Sequence, residues 1–163
     1  MSEIAANSSI GSPASLAQAR LILESHRQVV GRELLAVCGD DSERASALYH
    51  ADLVVLSHGL GPDPRFNYGN RLAQQLFELS WDELVALPSR LSAEPVNREE
   101  RQRLLDTVSA RGYIDDYAGV RISKSGRRFR ITGATVWTLV DEAGVVRGQA
   151  AAFANWTPLP FET

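Results

Sequence analysis

Apolar residues recur at helical spacing over the first quarter of the chain and change to compact runs and strand-like alternation further on. Leu16, Ala19, Leu23, Val30, Leu34 and Val37 mark one face of a helix that Ser15 is placed to cap and Gly39 to end. Gly31 weakens the middle of that helix. Asp40 and Glu43 stand in capping-box spacing and open a second helix over 42–50. The residues before them are small and polar and are broken by Gly11 and Pro13, which predicts a disordered segment over 1–14. Residues 15–50 then form an N-terminal helical region.

A different rhythm begins at 51. ADLVVLSHG is a short apolar run bounded by a turn and reads as a buried strand; after GLGPDP, RFNY reads as a second strand with Phe66 and Tyr68 on one face. Asn70 caps a short helix carrying Leu72, Leu76 and Phe77. Ser80 and Glu83 form another capping box, and Pro88 stops the helix it opens. Asn97 and Glu100 signal a third helix that Gly112 closes. The last third is a three-stranded antiparallel meander with turns at Ser125-Gly126 and Ala143-Gly144. On its middle strand, alternation places Phe129, Ile131, Trp137 and Leu139 on one face and Ala134, Val136 and Val140 on the other. A sheet with apolar residues on both faces needs cover on both.

Composition limits the function classes without choosing among them. At 163 residues, with 44% hydrophobic and 23% charged, the chain suits one soluble domain with its own core. The net charge of −3 gives no general attraction to nucleic acid or to a membrane surface. No window approaches a membrane span, and the start lacks the basic-then-apolar pattern of a signal peptide. The lone Cys38 excludes an internal disulfide and fits a reducing compartment, so the cytoplasm is the default location.

The element order is that of a PAS domain. The stretch from FNYGNRLAQQLFELSWDELVALPSRL through YIDDYAGVRISKSGRRFRI resembles the MEKHLA domain, over roughly residues 20–157. That PAS-like module is found alone in bacteria and at the C-terminus of plant class III homeodomain–leucine-zipper proteins. The DNA-binding and zipper regions have no counterpart here, so nothing about DNA carries over. The resemblance implies an α+β fold over 51–158, a five-stranded antiparallel sheet with short helices on one face and an N-terminal helix. It also implies a sensory or regulatory role whose ligand is undefined.

SRLSAEP, at 89–95, further resembles the flavin-binding signature of LOV photoreceptors, a PAS subgroup. Ser89 falls where that group has the cysteine that bonds flavin in light, and Arg90 where it has the phosphate-holding arginine. Pro88 and Ala93 replace the neighbouring asparagine and glutamine. The two asparagines that hold the ring fall on Arg121 and Ile131, and the later glutamine on Phe153. A serine hydroxyl cannot do the thiol's chemistry, so no light-driven adduct is expected, and with the ring's polar partners gone flavin itself is not expected.

This leaves Ser89, Arg90, Arg121, Ile131, Trp137 and Phe153 as candidate ligand-binding residues. Two guanidiniums on one cavity call for a counter-charge, supplied either by Glu94 or another carboxylate of the chain or by a small organic anion as ligand. Plainer readings stand beside this one. Arg90 could pair Glu94 or Glu83 at the surface, Arg121 could lie at a sheet edge in water, and Trp81 and Trp137 suit a core. His26, His50 and His58 lack metal-ligand spacing, and no catalytic constellation is visible. The chain therefore reads as a ligand-sensing module acting through an unidentified protein partner, or as a protein-interaction or homodimerisation module with no ligand. Dimerisation is expected through the N-terminal helix and an outer sheet face carrying Val120, Ile122, Val136, Ala152 and Trp156.

Overall fold

A computed structural model of the chain describes residues 12–93 and 98–160. Helix α1 runs Pro13–Ser25, with the Ser12 side chain accepting from the Ser15 N–H at its start. The cap is thus Ser12, three residues before the serine that the pattern suggested. The chain then passes through one π-helical turn, His26–Val30, and stops at Gly31, whose φ of 91° only glycine adopts at little cost. The helix is shorter than its hydrophobic spacing implied. Leu34 lies beyond its end, yet still packs on the same core. The predicted disordered segment lies almost wholly outside the described residues.

The local signals downstream hold. Asp40 and Glu43 complete a capping box on α2 (Asp41–Tyr49), and strands β1 (Val54–His58) and β2 (Phe66–Gly69) pair antiparallel. Asn70 caps α3 (Arg71–Phe77), and Ser80 and Glu83 cap α4 (Trp81–Val85). A 3-10 turn follows at Ser89–Ser92. Helix α5 spans Arg98–Arg111, closed by Gly112 at φ 85°, while its predicted cap, Asn97, lies outside the described residues. The meander is β3 (Tyr113–Ile122), β4 (Arg128–Val140) and β5 (Val146–Phe153).

The sheet has six strands rather than five. Its order is β2-β1-β5-β4-β3, and β6 (Asn155–Pro158) also pairs with β4. Strands β5 and β6 share one lane: β5 pairs with β4 over 135–140 and β6 over 129–132. At this junction Gly133 adopts φ 63°, and β4 carries an extra residue between the Tyr117–Ala134 and Gly119–Ile131 pairs. A bulge of this kind reverses the facing of everything beyond it.

The two sides of the sheet are consequently not those that simple alternation predicts. Phe129, Ile131, Ala134 and Val136 lie together on the inner face, in a core shared with Ala73, Phe77, Leu84 and Val108 of helices α3, α4 and α5. Trp137 and Leu139 lie on the outer face with Ile22, Leu23, Leu48 and Val55. Phe66 and Tyr68 are likewise split between the two cores, because Asn67 is the extra residue between the His58–Phe66 and Ser57–Tyr68 pairs.

The outer core is closed by the chain's own α1. Ile22 is fully buried, and such burial contributes about 1.5–3 kcal/mol per large aliphatic side chain. The Ser25 hydroxyl accepts from the Val140 N–H and donates to the Val140 carbonyl, both at 2.9 Å, which ties the helix to β4. Gln18 donates to Ser57 Oγ at 3.0 Å and to Asn67 Oδ1 at 3.3 Å. Part of the motive for outer-face dimerisation is thereby removed, while Val120 and Ile122 on β3 stay half-buried. Val136 and Trp156 belong to the inner core, and Ala152 is covered in the same chain.

Candidate functional site

SRLS frames the inner face without aiming its arginine there. The Ser89 N–H donates to the Pro64 carbonyl at 2.9 Å, Ser92 Oγ donates to the Ser89 carbonyl at 2.7 Å, and Ala93 forms an isolated bridge to Arg121 on β3. The segment thus joins the loop before β2 to the β3 edge. Arg90 points out: its side chain is 65% exposed and Nε donates to Asp63 Oδ1 at 2.9 Å. The surface reading of Arg90 holds, though with a partner other than those expected. Glu83 instead pairs Lys124, which pulls its carboxyl down to about 2, and Glu94 lies outside the described residues. Arg90 is therefore withdrawn as a cavity residue.

Arg121 is placed differently. It lies opposite Phe129, Gly119 opposite Ile131, and Tyr117 opposite Ala134. Residues opposite one another in a ladder share a face, and these partners belong to the inner core. On the far side of β4, Ile131 faces Trp156, whose ring meets Phe153 edge-on at 6.0 Å between centroids. Arg121, Ile131 and Phe153, the three positions matched to the LOV ring-holding amides, thus share one side of the sheet.

No described residue gives the Arg121 guanidinium a hydrogen bond or ion pair. Its guanidinium carbon stands 5.8 Å from the centroid of the Tyr117 ring, a cation–π distance. The Tyr117 ring lies along the strand over Gly119, where an added Cβ would come within 2.8 Å of the Tyr117 hydroxyl. Arg121 is half-buried rather than enclosed. Desolvation pushes its pKa below the ordinary value, with the Tyr117 hydroxyl opposing that shift.

Trp137 does not join this group. It is fully buried on the outer face, where the His26 ring meets it edge-on at 4.8 Å. The His26 Nδ1 bonds the Arg32 carbonyl at 2.7 Å, and burial lowers its pKa. Trp137 and the inner-face residues sit on opposite sides of one strand and cannot line the same pocket. The sequence pattern left Tyr117 out of the candidate ligand residues and set Trp156 on the outer face. Parity with Arg121 signalled the first. Trp156 was hidden by the break at Ala154 between β5 and β6.

A surface groove of about 950 Å³ runs along the solvent side of α1, with Leu16, Leu21 and Val140 in its walls. Its charges satisfy one another: Arg20 reaches Glu142 at 2.7 Å and Asp41 at 3.7 Å, and Glu24 reaches Arg44 at 2.9 Å. It presents no unmet group comparable with Arg121.

Comparison with known families decides which module this geometry belongs to, since the MEKHLA domain matches residues 16–158. The chain belongs to the MEKHLA domain family. Similar proteins include the homeobox-leucine zipper protein HOX10 of Oryza sativa, 27% identical over 152 residues, covering 90% of this chain and 18% of that protein. ATHB-15 of Arabidopsis thaliana is 24% identical over 161 residues, covering 96% and 19% respectively. This MEKHLA domain thus spans about a fifth of the length of those relatives. Among solved structures it resembles the PAS domain of a Colwellia psychrerythraea protein, with TM-score 0.57, 14% identity and coverage of 71% and 93%. It also resembles the light-state dimer of the fungal blue-light photoreceptor Vivid, with TM-score 0.55, 14% identity and coverage of 80% and 91%. Both show that the MEKHLA domain has a PAS fold. No helix among the described residues is long and apolar enough to cross a membrane.

Proposed function

We propose that this MEKHLA domain is a sensory module whose inner sheet face holds a small ligand and whose helix α1 passes the signal to a protein partner. The observation that carries this reading is Arg121, a charged side chain on an apolar face with no described counter-charge. A charge held on an apolar face without a partner is costly to the extent that it is desolvated, and a bound acceptor would offset that cost.

The link to α1 is short. Val136 and Trp137 are adjacent on β4, one in the inner core and the other beneath α1. A ligand that shifts β4 would be felt at the Ser25–Val140 contact. Flavin is outside this reading, since Ser89 cannot replace a thiol and Arg121, Ile131 and Phe153 stand in place of amides. The alternative, outer-face homodimerisation with no ligand, has less support because α1 already covers that face.

Native mass spectrometry of freshly purified protein, with an absorbance scan, tests the proposal. A co-purifying small molecule and no flavin absorbance are expected. A bare protein whose stability no small organic molecule raises would refute it.

A further inference from the structure

We propose that Tyr117 and Arg121 form a carboxylate-binding pair, so that the inner face takes a small monocarboxylate with a flat apolar body. The inference rests on the sensory reading above and specifies the chemistry of its ligand.

The unmet groups at this patch are donors. A guanidinium carries five N–H groups and a phenol one O–H. No described residue accepts from either side chain. A carboxylate brings two oxygens, which match a planar guanidinium bidentately and leave lone pairs for the Tyr117 hydroxyl. Bare Gly119 lets the tyrosine lie flat along β3, so that the phenol and the guanidinium share one patch.

The surroundings restrict the rest of the ligand. Phe129 stands opposite Arg121, Ile131 opposite Gly119, and Trp156 opposite Ile131, with Phe153 against Trp156. Phe129, Ile131 and Phe153 are core side chains and Trp156 is half-buried, so the patch borders an apolar surround that suits an apolar body and disfavours a strongly hydrated ion such as inorganic phosphate. One guanidinium neutralises one negative charge, and Arg90 is engaged with Asp63 at the surface. A monoanion is therefore preferred over a dianion. The competing explanation is an edge-strand arginine that snorkels its head into water. That arrangement would turn the guanidinium away from the sheet, whereas here its carbon stands 5.8 Å from the centroid of the Tyr117 ring on the inner side.

The test measures binding of benzoate, benzamide and inorganic phosphate to the full chain by calorimetry, with thermal shift alongside. Benzoate should bind and raise Tm, while benzamide and phosphate should do neither. Arg121→Ala should weaken benzoate by at least about tenfold, as should Arg121→Gln, which keeps a polar side chain in place. Tyr117→Phe should weaken it about fivefold through one lost hydrogen bond, and Arg90→Ala should leave it unchanged. Benzoate binding that survives Arg121→Ala overturns the carboxylate assignment. So does benzamide binding as tightly as benzoate, but that result leaves a ligand-holding inner face intact. Failure of all three probes on a protein that is also bare by native mass spectrometry overturns both readings.

Discussion

Asn70→Ala should remove a buried bracket that holds three elements in register. The Asn70 side chain is fully buried. Its Oδ1 accepts from the Val55 and Ala73 N–H groups, both at 3.1 Å, and its Nδ2 donates to the Leu48 and Leu53 carbonyls at 3.2 and 2.7 Å. Every hydrogen-bonding capacity of the amide is used. Alanine removes an N-cap, at about 1 kcal/mol. It also strands the Val55 N–H and the Leu53 carbonyl, at about 1–2 kcal/mol each. The Leu48 carbonyl is spared, because it also accepts from the Ala51 N–H at 3.4 Å. The total is about 3–5 kcal/mol, a large part of the stability of an ordinary domain. Asn70→Ser separates the terms: serine keeps the cap but is too short to reach Leu53 and Val55 together. Urea unfolding followed by circular dichroism should show the serine variant recovering only about 1 kcal/mol of the loss. A loss under about 1 kcal/mol for alanine, or near-complete recovery by serine, would refute the network argument.

Lowering the pH should destabilise the α1 side of the fold through His26. Burial depresses its pKa, so the folded state holds fewer protons than the unfolded chain. Stability is then full above about 6.5 and is lost as pH falls through the folded pKa; Tm of wild type and His26→Gln between about pH 7.5 and 5.5 checks this, with a parallel fall in both opposing it. Gly148→Ala should abolish soluble expression, because its Cβ would meet the His58 carbonyl oxygen at 2.1 Å across the β1–β5 pair. Gly126→Ala, with open space but φ 90°, should cost only about 1 kcal/mol, and similar outcomes for the two would count against this distinction. A chain beginning at residue 40 should self-associate, since losing Ile22 and Leu23 uncovers Trp137 and Leu139; a monomer with unchanged tryptophan fluorescence by light scattering and spectroscopy would contradict the assigned cover.

The features that the sequence determined by itself are local ones. Asp40 with Glu43, Ser80 with Glu83, and Asn70 each reach a backbone N–H only three residues away, so their caps could be read without knowing the fold. Gly126 and Gly144 likewise mark their hairpin turns through their own backbone freedom. The order of these elements, with the MEKHLA resemblance, was enough for a PAS fold.

What only the tertiary structure decided is the facing of side chains and the identity of distant partners. Alternation assigns a face only along an uninterrupted strand, and one extra residue inverts every position beyond it. The bulge at Gly133 therefore placed Trp137 under α1 rather than beside Ile131. The break at Ala154 put Trp156 on the inner face, where alternation had set it outside. Arg90 found Asp63, 27 residues earlier in the chain, because the loop before β2 folds against the 3-10 turn. Where a bulge falls, and which charge lies across a loop, depends on the strands and loops packed alongside. That physical constraint comes from the assembled sheet rather than from neighbouring residues.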